Sequence, residues 1–246
     1  MESVKKILVS EEGRTFYIRD ISQDFHTQFG FIKSKDLKKK DGSVVVSNTS
    51  QKFHIYSPSF IDSYRRIKRG PQIIPAKDVA AIIAETGLGN KSVIVDAGTG
   101  SGALACFLAN YAKKVVSYEL REDFFKIASE NVKMLGLKNV ELKNKDVYLG
   151  IDEKNADIIV FDLPEPWLGI KNAEKALKIG GYLVSYSPTV PQIMDFASEI
   201  SKHKCFSHIK TIEIMERRWD VLERKVRPKS QEIGHSGFLS FYRKIC

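Results

Sequence analysis

Apolar positions change rhythm about a quarter of the way along the chain. In the first 56 residues they come in short alternating runs: Lys6-Ile7-Leu8-Val9, Thr15-Phe16-Tyr17-Ile18, Ser43-Val44-Val45-Val46 and Phe53-His54-Ile55-Tyr56. Each reads as a short strand, with Glu12-Gly13 and Asp41-Gly42 as turns. Residues 1–56 are therefore expected to form a small β-rich domain. Between 58 and 70, Phe60, Ile61, Tyr64 and Ile67 recur at helical spacing with Arg65, Arg66, Lys68 and Arg69 opposite, which predicts a helix. A second helix is predicted over 76–85, stopped by Gly87 and Gly89. Residues 57–90 are thus read as connecting helices.

From 91 to 246 short apolar runs alternate with 3.6-residue stripes. Val93-Ile94-Val95 is too short for a buried helix and suits a buried parallel strand. It stops in Asp96-Ala97-Gly98-Thr99-Gly100-Ser101-Gly102, after which Leu104, Phe107, Leu108 and Tyr111 follow a helical period. Lys114-Val115-Val116-Ser117-Tyr118-Glu119 is a second strand ending on an acid, and Phe124, Phe125, Ala128, Val132 and Leu135 form a helical stripe up to Gly136. Strands are then predicted at 140–142 and 156–161, a helix at 173–179, a Gly180-Gly181 turn, and a strand at 182–186. A helix at 191–203 and strands at 209–215 and 237–243 complete the pattern, without internal repeats. Repeated βα units imply an α/β fold with a parallel, doubly wound sheet that binds ligands at the carboxyl ends of its strands.

The composition is that of an ordinary globular chain, 246 residues at 43% hydrophobic and 28% charged. A formal charge of +9 favours an anionic partner such as nucleic acid. Part of that charge is local: Lys33, Lys35, Lys38, Lys39 and Lys40 cluster in the β module near Phe25, Phe29 and Phe31. Such a module is either a solvated loop or a grip on RNA by phosphate contact and stacking. Three cysteines stand far apart, without a C-x-x-C pair or a histidine at metal spacing. No metal site and a reducing, cytoplasmic setting are the default. No apolar run approaches the length of a membrane span, so no membrane is expected as a partner.

The chemistry gathers at predicted strand ends. Alternating Gly98, Gly100 and Gly102 let the backbone pass tightly under a ligand and aim N–H groups of the next helix at it. A dinucleotide fingerprint places its third glycine one residue later, whereas strict alternation behind Asp96 looks like motif I of class I methyltransferases, which bind S-adenosylmethionine. Glu119, about 20 residues on, has the type and position of a ribose-hydroxyl acceptor. Asp146, in the loop after the third strand, is read either as a partner of the cofactor's adenine amine or as a helix cap. In Asp162-Leu163-Pro164-Glu165-Pro166-Trp167, prolines directly after a buried strand fix a stiff turn and hold the acid where a substrate must lie.

Together these stretches resemble the tRNA (adenine-58-N1)-methyltransferase family, TrmI, in its archaeal branch. The resemblance covers nearly the whole chain. It includes Thr27-Gln28-Phe29-Gly30, Lys68-Arg69-Gly70-Pro71-Gln72-Ile73-Ile74, the glycine loop, residues 162–167, Arg227-Pro228 and Gly234-His235-Ser236-Gly237-Phe238. It implies a class I S-adenosylmethionine-dependent fold, Rossmann-like with a mostly parallel seven-stranded sheet, preceded by the β-rich domain. It implies S-adenosylmethionine held by Gln72, Asp96, Gly98, Thr99, Gly100, Ser101, Gly102, Glu119, Asp146 and Asp162. It further implies a tRNA substrate and a homotetramer.

Asp162 is the expected catalytic residue, accepting from the adenine amine as N1 attacks the methyl group. Trp167, Tyr186, Arg227 and His235 are expected on the substrate side, Tyr186 or Trp167 stacking on a flipped base, with His235 read either as a contact to base or phosphate or as a core histidine. Position 57 of the tRNA is a further candidate target. One departure is visible: the family usually carries an aromatic or histidine before a Pro-Lys-Asp, where this chain has Pro75-Ala76-Lys77-Asp78. Two alternatives stay open, another class I methyltransferase acting on a protein or small molecule, and a non-catalytic tRNA-binding subunit.

Overall fold

The structure, a computed structural model, describes residues 2–70 and 72–246. Pro71, within the 68–74 stretch quoted above, lies outside the described residues. The chain divides into two compact units, 1–67 with 133–136, and 68–132 with 137–246.

The first unit holds β1 (Lys6–Ser10), β2 (Thr15–Ile18), β3 (Phe25–Thr27), β4 (Gly30–Ile32), α1 (Ser34–Leu37), β5 (Ser43–Val46), β6 (Lys52–Tyr56) and α2 (Phe60–Tyr64). Four strands form an antiparallel sheet in the order β2-β1-β6-β5, and β3 pairs with β4 as a separate hairpin. Alternation decides the faces: Leu8, Ile18, Val45, Phe53 and Ile55 point into one core with Ile32 and Leu37, closed by Phe16, Phe25 and Phe29. The aromatics that sequence set beside a basic cluster are thus partly core. The predicted helix over 58–70 is confined to α2, whose start is held by Ser59 N–H on Asp62 Oδ2 at 2.8 Å.

The second unit holds α3 (Ala76–Thr86), β7 (Val93–Ala97), α4 (Ala103–Ala109), β8 (Lys114–Tyr118), α5 (Glu122–Leu135, its last residues grouped with the first unit), β9 (Val140–Lys143) and β10 (Ala156–Phe161). A 3₁₀ turn at Pro166–Gly169 leads into α6 (Ile170–Ala176) and β11 (Leu177–Ser187). α7 (Val190–Ile200), β12 (Phe206–Glu213), β13 (Trp219–Leu222), β14 (Lys225–Pro228) and β15 (Phe238–Lys244) follow. Seven strands form one sheet in the order β12-β15-β11-β10-β7-β8-β9, parallel from β11 to β9, with β15 antiparallel to both its neighbours. Successive residues serve opposite faces. Ile94 and Val160 pack under α3 and α4, while Val95 and Phe161 pack under α6 and α7. That double burial is why the parallel strands read as unbroken apolar runs.

Two expectations are corrected and one element appears that the pattern did not predict. The Gly180-Gly181 pair is not a turn between helix and strand. Ala156 pairs with Leu177 but Ile158 with Tyr182, so β11 bulges there, with Gly180 at φ +77°. Residues between β12 and β15, left without structure in the sequence reading, carry the β13–β14 hairpin, turning at Glu223 with φ +51°. Cys205 and Cys246 form a disulfide with Cα atoms 4.9 Å apart, contrary to the default of reduced cysteines. Their separation of 41 residues hid what the β12–β15 ladder brings together. Among the described residues no helix is long and apolar enough to cross a membrane, and no cluster of three metal-ligating side chains occurs.

Candidate active site

A cavity of about 510 Å³ opens at the carboxyl ends of β7, β8, β9 and β10, entirely within the second unit. That size lies in the ~300–1,000 Å³ range of small-molecule sites. Its floor is the glycine loop. Gly98, Gly100 and Gly102 adopt φ of 93°, 53° and 77°, and a Cβ on Gly98 would collide with the Asp162 carbonyl oxygen. Asp162 N–H in turn donates to the Ala97 carbonyl at 2.9 Å, so the ends of β7 and β10 are locked side by side.

Four of the loop's N–H groups are spent internally. Gly98 and Thr99 N–H both donate to the Tyr118 carbonyl at 3.1 Å, Gly100 N–H to Glu119 Oε2 at 2.8 Å, and Gly102 N–H to the Thr99 carbonyl at 2.8 Å. The loop itself offers close approach, and the first-turn residues Ala103 and Leu104 of the next helix line the cavity, where N–H groups were expected to be aimed. Beneath it Thr99 Oγ1, Ser117 Oγ and Asp96 Oδ2 form a buried chain with links of 2.6 Å. Asp96 is fully buried, its Oδ1 lacks a partner, and burial with Asp162 and Glu119 nearby pushes its carboxyl up to about 7. Ser101 Oγ, lining the cavity and 1% exposed, also lacks a partner.

Four carboxylates ring the opening. Glu119, 7% exposed at the end of β8, accepts from Gly100 N–H and, at 2.9 Å, from Arg121 N–H. Each oxygen keeps a second lone pair for a ligand hydroxyl. Asp146 Oδ1 accepts from Tyr148 N–H at 2.8 Å, so it closes a turn of its own and caps no helix. Asp162 has no side-chain hydrogen bond among the described residues, and burial alone pushes it up to about 7. Glu165 also lines the cavity. The two cations in the lining are engaged outward, Arg121 with Asp123 at 2.7 Å and Lys145 with Asp152 at 2.7 Å. Leu104, Leu120, Phe124, Val147 and Leu163 supply apolar wall, and Gln72 closes one side.

Of the residues expected to hold a cofactor, Gln72, Gly98, Thr99, Gly100, Ser101, Glu119, Asp146 and Asp162 therefore meet in one lining. Asp96 and Gly102 stand just behind it, Gly102 packing on Ala128. The substrate-side expectations fare differently. Tyr186 is 5% exposed, part of the core, and donates to the Ser236 carbonyl at 2.6 Å; it is an anchor and no stacking platform. Trp167 packs on the core beside Phe161 and is absent from the lining. Arg227 sits on β14 opposite Asp220, away from the lining. Both ring nitrogens of His235 are engaged by the protein, Nδ1 with Glu213 Oε1 at 2.5 Å and Nε2 with the Pro188 carbonyl at 2.8 Å, which leaves no nitrogen for a base or phosphate.

Sequence reasoning passed over Tyr148, Pro188 and Gln192, which line the cavity. Gln192 Nε2 donates to the Pro164 carbonyl at 3.1 Å and so braces the Asp-Leu-Pro turn from α7. No local motif announces it, because the contact spans 28 residues.

A doubly wound sheet with a glycine loop after its first parallel strand and acids after the next three defines the class I S-adenosylmethionine-dependent methyltransferase fold. A structure described as a SAM-dependent O-methyltransferase from Thermotoga maritima superposes with a TM-score of 0.87 at 29% identity, covering 100% of this chain and 94% of that one. The crystal structure of tRNA (m1A58) methyltransferase TrmI from Aquifex aeolicus gives 0.82 at 26% identity, covering 100% and 98%. The sequence profile of the tRNA methyltransferase complex GCD14 subunit family matches residues 66–236, and the chain belongs to that family. A relative in Methanocaldococcus jannaschii, the tRNA (adenine(57)-N(1)/adenine(58)-N(1))-methyltransferase TrmI, is 34% identical over 97% of this chain and 94% of its own length.

Proposed function

We propose that the protein transfers a methyl group from S-adenosylmethionine to N1 of adenine 58 in tRNA, with adenine 57 as a second target. The observation that carries the cofactor is the charge of the cavity. Acids at Glu119, Asp146, Asp162 and Glu165 face it, its cations are paired away, and the N–H groups of Gly98, Thr99, Gly100 and Gly102 are already engaged. A phosphate-free cation suits that lining and a pyrophosphate cofactor does not. Ser101 Oγ is a buried hydroxyl still lacking a partner, Glu119 has lone pairs for ribose hydroxyls, and Asp146 keeps an oxygen for an adenine amine. Bound there, S-adenosylmethionine supplies an electrophilic methyl group.

The chain's own residues handle the acceptor. Adenine N1 has a free lone pair at neutral pH and needs no base. Positive charge develops on the base and is shared with its exocyclic amine. Ionised Asp162 accepts from that amine, orients N1 and stabilises the charge in a site of low dielectric. Its rigid Asp-Leu-Pro turn, braced by Gln192, keeps this acceptor in place without reorganisation. Lys33, Lys35, Lys38 and Lys40, which make no ion pair among the described residues, supply phosphate contacts to the tRNA. The apolar face of the β13–β14 hairpin, with Trp219, Val221 and Val226 more than half exposed, is our candidate contact for a homotetramer, and a cytoplasmic location fits the substrate.

A second reading, an oxygen acceptor, is favoured by one observation: a carboxyl at about 7 is poised to strip a hydroxyl proton near neutral pH. The test separates the two. Purified protein, labelled S-adenosylmethionine and an unmodified tRNA transcript are incubated, and the product nucleosides are resolved by mass spectrometry. N1-methyladenosine supports the proposal; a ribose-methylated nucleoside or no transfer to tRNA refutes it.

A further inference from the structure

The Gly234–Gly237 loop is pinned at two neighbouring residues by different chemistry. Ser236 is the permanent anchor. Its Oγ lies 2.9 Å from Asp78 Oδ2 and 2.6 Å from Lys77 Nζ, and its carbonyl takes the Tyr186 hydroxyl at 2.6 Å. Asp78 is 1% exposed and Lys77 Nζ holds both its oxygens, so this cluster is closed and charge-balanced. His235 is the other anchor. Its ring stands between the Glu213 carboxylate at the end of β12 and the Pro188 carbonyl after β11, at 2.5 and 2.8 Å, with the Phe238 ring 4.9 Å away.

Both partners of the ring are acceptors. A neutral imidazole carries one N–H and satisfies only one of them; two donors require the imidazolium. We propose that His235 is a positioning residue that, as a doubly donating cation, clamps the β11–α7 connection in the arrangement methyl transfer needs. The path to the site is short. Pro188 lines the cavity, Thr189 precedes α7, and Gln192 in the first turn of α7 holds the Pro164 carbonyl, two residues from Asp162. Loss of either ring proton frees the connection and with it the brace on the acceptor turn.

The surroundings set the pH range. Glu213 and the Pro188 carbonyl hold the imidazolium above the ordinary histidine value of 6.5, against an opposing contribution from partial desolvation and from Lys77 on α3. Asp78 is turned to Lys77 and Ser236. The clamp is therefore closed below that elevated value and opens as pH rises through it.

The kinetic part of this inference rests on the methyl-transfer reading; the protonation part does not. Nitrogen-15 spectra of the ring in the free, full-length protein should show both nitrogens protonated on the acid side of a titration midpoint above 6.5, and that midpoint should move down in Glu213→Gln. In single-turnover methylation with saturating tRNA, wild type should lose rate on the alkaline side. His235→Gln, which keeps one donor, should be about 3- to 10-fold slower at pH 7, the worth of one exposed hydrogen bond. It should also lose the alkaline limb, with S-adenosylmethionine affinity unchanged. A midpoint at or below 6.5, or the same alkaline limb in His235→Gln and Glu213→Gln as in wild type, overturns the clamp. Absence of any methylation by wild type refutes the proposed function instead, and the spectra then decide the clamp alone.

Discussion

Asp162 is held as a carboxyl near 7 by desolvation with no side-chain hydrogen bond among the described residues, and that single fact links its stability and its chemistry. Its folded value lies above the unfolded one of 3.8, so the stability it contributes is full below about 4 and is lost as pH rises through about 7. Asp162→Asn removes an ionisation the fold resists. The variant should be more stable than wild type at pH 8, with the gain vanishing at pH 4, as read from denaturant melts; an equal difference at both pH values contradicts the burial argument. The catalytic cost runs the other way. Asparagine keeps the shape but cannot favour a cation, so single-turnover methylation should fall about 100-fold or more with cofactor and tRNA binding nearly unchanged. Wild-type kcat/KM should show an acid limb with its midpoint near 7. A limb that survives in Asp162→Asn would belong to Asp96, which burial also lifts to about 7. Glu119→Gln replaces one acceptor oxygen by a donor, and S-adenosylmethionine should bind roughly 10- to 150-fold more weakly, the ~1.5–3 kcal/mol of a charge-assisted bond. Unchanged affinity by calorimetric titration would remove Glu119 from the cofactor site. These acids were legible in the sequence because each ends an apolar strand run. The engagement of Tyr186 and His235 inside the protein was not legible, because each is satisfied by a contact 47 to 50 residues away.

At the scale of elements, the parallel strands were readable because burial on both faces leaves uninterrupted runs such as Val93-Ile94-Val95. The glycine loop was readable as a tight turn, but not in the use of its donors, since Gly98, Thr99 and Gly100 N–H reach back to β8 and Glu119. The β11 bulge was misread because two glycines after a helical stripe look like a turn, and only pairing with β10 shows the strand already under way at Leu177. The disulfide was hidden for the same reason, as it depends on the β12–β15 register. Cross-linking across 41 residues restrains the unfolded chain, and Cys205→Ser should lower the unfolding free energy by ~2–4 kcal/mol. A denaturant midpoint equal to that of wild type would show that the cross-link contributes nothing.

At the scale of the whole molecule, the second unit carries the cofactor cavity and the first a share of the positive charge. Net charge of +9 pointed to an anionic partner, and among the described residues Lys33, Lys35, Lys38 and Lys40 make no ion pair while Lys39 is held by Asp36 at 2.9 Å. If these four lysines neutralise tRNA phosphates, replacing them with glutamine should reduce the salt slope of tRNA binding by about 0.7–0.9 per lost contact. An unchanged slope and affinity would return the cluster to a solvated loop. The most direct measurement is transfer of a labelled methyl group from S-adenosylmethionine to two tRNA transcripts, one with adenine at position 58 and one with guanine there and no adenine at position 57. The account predicts stoichiometric labelling of the first, recovered as N1-methyladenosine, and background labelling of the second. Equal labelling of both transcripts, or of neither, would contradict it.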